Sequence, residues 1–126
     1  MPNERSKVLV VDDEDLIVDL LVHAFEEAGF EVATAGNARE AAKALQGGGG
    51  ISLVVTDISM PGVVDGLLFG HMVVEAHPAI PVIIISGASH PDEGDVPSGA
   101  RFIAKPFSPA LLIREARQLL AERAGA

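Results

Sequence analysis

The 126 residues amount to one ordinary domain, and a hydrophobic content of 48% supplies a sizeable core while leaving no length for a second domain. Nine basic against eighteen acidic residues give a formal charge of -9, which disfavours nucleic acid and anionic membranes as partners and favours basic partners or divalent cations. Cysteine is absent, so disulfides, thiolate metal sites and cysteine nucleophiles are excluded.

The amino terminus, MPNERSKV, passes from charge straight into a strand-like run, without the apolar stretch of a signal peptide. No apolar run is long enough to span a bilayer, so a soluble cytoplasmic protein is the expectation. Lys7 to Val11 reads KVLVV, a β-branched-rich run without polar alternation, as expected of a strand buried on both faces of a parallel sheet. It stops at Asp12-Asp13-Glu14-Asp15. From Glu14 to Ala28 the residues Ile17, Leu21, Ala24, Phe25 and Ala28 recur at helical spacing, with Glu14, Asp15, Asp19, Glu26 and Glu27 on the other side. Gly29 is the C-terminal stop of that helix. Phe30 to Thr34 is a short second strand, and Asn37 with Glu40 forms a capping box that opens a helix through about Leu45.

Gly47 to Gly50 read as a loop, since the run lacks the lysine and hydroxyl residue of a phosphate-binding loop and precedes a strand. Ile51 to Thr56, ISLVVT, is the third strand and also ends on an acid, Asp57. After the turn-rich SMPGVVDG a helix is expected from about Asp65 to Ala76, with Leu67, Leu68, Met72 and Val73 inward. Val82 to Ile85 is a wholly apolar fourth strand ending in Ser86-Gly87. The following ASHPDEGDVPSGA carries two prolines and two glycines, which predicts at most one helical turn. Arg101 to Ala104 is a fifth strand, Lys105-Pro106 a loop, and Ser108-Pro109 a helix start whose inner side is Leu111, Leu112, Ala116, Leu119 and Leu120.

Strands alternating with helices predict a parallel sheet covered on both faces, with polar groups at the carboxyl ends of the strands converging on one rim. That rim would hold Asp12, Asp13, Asp57, Ser86 and Lys105. Adjacent carboxylates repel unless a cation joins them or one takes a proton, and an oxygen-only donor set suits magnesium. Either Asp12 or Asp13 would coordinate directly and the other through water. Asp57 is then a third metal ligand, or a nucleophile whose attack on phosphorus yields an acyl phosphate. Lys105 would add a point charge at the transferring group and Ser86 a hydrogen bond. Glu14 and Asp15 are expected to serve the start of the first helix. His23, His71, His77 and His90 show no metal-binding spacing and are assigned to surface or packing.

At these residues the sequence resembles the receiver domain of two-component response regulators, over nearly its whole length and with a core of about residues 6–122. The matching pieces are VLVVDDE at 8–14, VVTDISMP at 54–61, VIIISGAS at 82–89 and FIAKPF at 102–107. The resemblance implies a doubly wound five-stranded parallel sheet of order 2-1-3-4-5 with helices on both faces. It also implies that Asp12 and Asp13 hold Mg(2+) and that Asp57 is phosphorylated by a histidine kinase or a histidine phosphotransfer protein. Ser86 and Lys105 take the family's hydroxyl and lysine positions, Phe102 that of an aromatic that changes rotamer on activation, and Pro106 that of a residue often preceded by a cis bond. The peptide carbonyl completing the metal shell would belong to Ser59. Slow self-dephosphorylation follows by the same resemblance; the side chains of Ser59 and Ala88, which occupy its rate-tuning positions, are neither acids nor amides.

Two departures stand out. Gly62, Val63, Val64 and Asp65 intervene between Met-Pro and Gly66, a longer spacing than is usual after the acceptor. The stretch between Ser86 and Lys105 is shorter than usual, so the helix that relatives carry between their fourth and fifth strands is expected to be short or disordered. The expected function is a phosphoacceptor signalling domain acting on itself, not a turnover enzyme, with its downstream protein unassigned and a monomeric or weakly dimeric state. The alternatives are a phosphorylation-independent receiver-like interaction module and a magnesium-dependent phosphohydrolase. Against the latter, no second acid stands two residues after Asp57 and no cap domain is present.

Overall fold

A computed structural model describes residues 6–47, 50–57, 66–86, 100–104 and 106–124, the side chains of 66–68, 86, 123 and 124 excepted. Its elements are β1 (Lys7–Val11), α1 (Asp15–Glu27), β2 (Glu31–Ala35), α2 (Ala38–Gln46), β3 (Ile51–Asp57), α3 (Gly66–Ala76), β4 (Val82–Ser86), β5 (Arg101–Ala104) and α4 (Pro109–Ala124). All strand pairs are parallel, as the strand–helix alternation predicts, and the sheet order is β2-β1-β3-β4-β5, as the family resemblance implies.

The alternation of side chains along each strand divides the core into two layers. Val8, Val10, Leu53, Val55, Ile83, Ile85 and Ile103 pack on one face with Leu21 and Phe25 of α1 and Leu112, Ala116 and Leu119 of α4. Leu9, Val11, Val54, Val82 and Ile84 pack on the other with Ala38 and Ala41 of α2 and Phe69 and Val73 of α3. Because both faces are covered, the central strands β1, β3 and β4 carry unbroken apolar runs. The chain winds outward from β1 to β2, then reverses over β1 to β3 and continues to β4 and β5. Crossovers of one hand that run in opposite directions must lie on opposite faces, which is why α1 and α2 are separated by the sheet. The reversal leaves β1 and β3 as neighbours whose following segments diverge, and a crevice opens at their carboxyl ends.

Local signals operate as the residue types require. The Asn37 side chain accepts the Glu40 N–H at 2.9 Å while Glu40 Oε1 accepts the Gly36 N–H at 2.9 Å, completing the capping box. Gly29 follows α1 with φ +96°, the left-handed conformation that lets the Gly29 and Phe30 N–H groups return to the last turn of the helix. Ser108 Oγ accepts the Leu111 N–H at 3.0 Å at the start of α4, with Pro109 the first helical residue.

Two inward assignments are corrected. Met72 is 48% exposed: Phe69 and Val73 hold the buried stripe of α3, and Met72 lies to its side, lining a cavity of about 110 Å³ with Leu45 of α2. Leu111 is 39% exposed, because the buried stripe of α4 runs through Leu112, Ile113, Ala116 and Leu119. The expectation of a short or disordered helix between β4 and β5 concerns residues 87–99, which lie outside the described residues. The same holds for Gly48 and Gly49 of the glycine run and for the lengthened segment 58–65. Among the described residues no helix is long and apolar enough to cross a membrane.

Candidate functional site

Register places the acids. Val11 of β1 pairs with Thr56 of β3, so Asp12 and Asp57, each the next residue, emerge at the same level on neighbouring strands. The Asp12 N–H donates to the Ala35 carbonyl at 3.1 Å, which ties the residue to the end of β2 as well. On the other side Asp57 pairs with Ile85, and Ser86, one step further, pairs with Ala104. Ser86 thus ends β4 one residue beyond the level of Asp57, and Lys105 follows the residue opposite it. Lys105, Ser59 and the side chain of Ser86 lie outside the described residues, and with Lys105 the peptide bond preceding Pro106.

Asp12 is 4% exposed and Asp57 5%, burial that is uncommon for carboxylates. Carboxylate oxygens of Asp12, Asp57 and Glu14 all lie within 4.8 Å of one another. Asp13 is exposed and falls outside that trio. The backbone explains the choice: the Glu14 N–H donates to Asp12 Oδ1 at 2.9 Å, an Asx-type turn that folds the chain back over the end of β1 before α1 begins. Glu14 occupies the N-cap position of α1, yet its side chain makes no capping hydrogen bond. Sequence reasoning assigned Glu14 to the helix end. An aspartate two residues before the N-cap was the available signal, since its side chain can accept that N–H.

Beside these acids, Thr56 is fully buried and its hydroxyl donates to the Asp57 carbonyl at 3.2 Å. Phe102 pairs with Ile84 across the β4–β5 ladder and packs half-buried against the layer that α2 and α3 cover. The donor set is hard oxygen throughout, with two carboxylates already withdrawn from water, a combination that suits a small divalent cation with oxygen preference.

The response regulator receiver domain model matches residues 8–117, and the chain belongs to that family. It is 32% identical over 119 residues to the response regulator receiver protein CpdR of Brucella abortus, covering 91% of this chain and 97% of that one. It is 31% identical to the C4-dicarboxylate transport transcriptional regulatory protein DctD of Rhizobium meliloti over 88% of this chain, but spans only 24% of that longer protein. Among solved structures, a response regulator receiver protein of Sinorhizobium medicae superposes with a TM-score of 0.89 at 30% identity, covering 95% of this chain and 98% of that one. The receiver domain of NtrX from Brucella abortus gives 0.79 at 37% identity, covering 90% and 98%.

Proposed function

We propose that this domain accepts a phosphoryl group on Asp57 from a histidine kinase or a histidine phosphotransfer protein, with magnesium, and slowly releases it to water. The observation that carries the proposal is the buried Asp57 carboxylate at the winding reversal, within 4.8 Å of two further acids. A lone buried carboxylate there would serve no packing purpose, whereas a clustered one is poised for a cation and a phosphoryl group.

Asp12 and Asp57 would hold the magnesium, with Asp13 and the Ser59 carbonyl as the further ligands that family resemblance assigns. When bound, the ion would neutralise charge on the transferring group. Asp57, ionised, needs no base: its oxygen forms a bond to phosphorus as the donor's phosphorus–nitrogen bond breaks, and the imidazole leaves with its electron pair. Lys105 would contribute a positive charge and Ser86 a hydroxyl donor to the phosphoryl oxygens, drawing Ser86 inward. Phe102, two residues before Ala104 on the next strand, would respond by changing rotamer, shifting the balance between two states of the β4–β5 face. The chemistry changes the protein itself and turns over no external substrate. ATP-fed kinases act in the cytoplasm, which becomes the place of action.

Incubation of the purified protein with a small acyl-phosphate donor, with and without magnesium, tests the proposal. A base-labile phosphoprotein is expected only with magnesium, and none from Asp57→Asn. An unchanged yield from that variant would remove Asp57 as nucleophile and leave a phosphorylation-independent interaction module.

A further inference from the structure

Three consecutive acids follow Asp12 in the chain, and the fold brings one of them, Glu14, within 4.8 Å of both carboxylates of the buried pair. The Glu14 carboxylate lies within 4.8 Å of both Asp12 and Asp57 but is itself exposed, so it stands on the solvent side of the two buried carboxylates. Its position is set by the Asx-type turn from Asp12, and it spends no hydrogen bond on capping α1.

We infer that Glu14 is an affinity-determining residue for the divalent cation at the Asp57 site, adding a further carboxylate charge at its solvent-facing side. The inference rests on the magnesium proposal for that site. A unit negative charge about 5 Å from a divalent ion, in surroundings close to water, contributes an attraction that corresponds to roughly a tenfold change in affinity, less where salt screens it. The contribution is electrostatic and oxygen-based, so Gln, which keeps the shape and one oxygen, removes most of it. Asp15 carries the same charge one residue further on, in the first turn of α1, and falls outside the trio. It is therefore a control for the general negative field of this segment and for the charge at the helix start.

Isothermal titration of magnesium into the wild-type protein, Glu14→Gln and Asp15→Asn, each at low ionic strength, provides the test. Glu14→Gln is expected to weaken magnesium about tenfold and Asp15→Asn by less than twofold. Thermal unfolding in a chelator serves as the second measurement, because loss of a purely structural residue lowers the midpoint without changing magnesium affinity. Affinity of Glu14→Gln within twofold of wild type overturns the inference, as does an Asp15→Asn loss equal to that of Glu14→Gln. Both results leave magnesium binding at Asp57 standing. A wild-type protein that binds no magnesium overturns the site proposal and the inference with it.

Discussion

Replacing Asp57 by Asn should stabilise the metal-free protein, although it removes a buried native side chain. Asp57 faces Asp12 and Glu14 with carboxylate oxygens within 4.8 Å. In the unfolded chain it is far in sequence from both, so the repulsion belongs to the folded state. Each pair costs about 1 kcal/mol at a water-like dielectric and about 3 kcal/mol at an effective value of roughly 20. Burial of Asp12 and Asp57 argues for the upper part of that range for their pair, and the exposure of Glu14 for the lower part for the other. Allowing for relaxation and for the other interactions of Asp57, which offset part of the repulsion, the isosteric amide should contribute about 1–3 kcal/mol, an upward shift in Tm of about 3 °C or more for a domain of this size. Calorimetry or circular dichroism in a chelator, repeated with saturating magnesium, is the assay. Magnesium should raise the wild-type Tm and narrow the gap, since a ligand that binds only the folded state adds stability by mass action. A variant less stable than wild type in the chelator would refute the electrostatic account of this site.

Arg101 clamps β5 to α4, its Nη1 donating to Glu115 Oε1 at 2.7 Å and its Nη2 to Glu122 Oε2 at 2.9 Å. Burial pulls its pKa down, but the hydrogen bonds and charges of the two glutamates outweigh this and leave it raised, so the guanidinium stays charged across any ordinary pH range. With the side chain a third exposed, Arg101→Gln should cost about 1 kcal/mol, and less at high salt; urea unfolding giving an equal loss at both salt levels would count against an ion-pair origin. Asn37→Ala should lower the urea midpoint by about 1 kcal/mol of stability with an unchanged slope, because the Glu40 N–H loses its acceptor. Lys105→Ala should retain most magnesium affinity while slowing phosphorylation of Asp57, measured by titration and by phosphoprotein formation; an equal loss of both would contradict its role at the phosphoryl group.

The strands were legible because each central one is buried on both faces, which forces an unbroken apolar run in VLVV, LVV and VIII. Asp57 was legible for the same reason: a charge ending such a run can only lie at the edge of the sheet. Helix phase was less so. In α3 and α4 several apolar residues share each turn, and only packing against a particular neighbour decides that Phe69 is buried while Met72 is exposed, and Ile113 buried while Leu111 is not.

Within the acidic run, composition showed that carboxylates stand at the end of the strand but not which of them come together with Asp57. Four acids in succession differ little in type, and their directions depend on how the chain leaves β1. The Glu14 N–H to Asp12 bond and the entry into α1 set those directions, and the parallel register of β1 with β3 brings Asp57 to the same level. Sequence by itself determined the parallel strands and the acid at their carboxyl edge, since these follow from burial and periodicity, while the order of the strands came from the family resemblance. The tertiary structure alone decided that Glu14 joins Asp12 and Asp57, because the direction of Glu14 is set by the turn after β1 and the approach of the distant Asp57 by the register of β1 with β3.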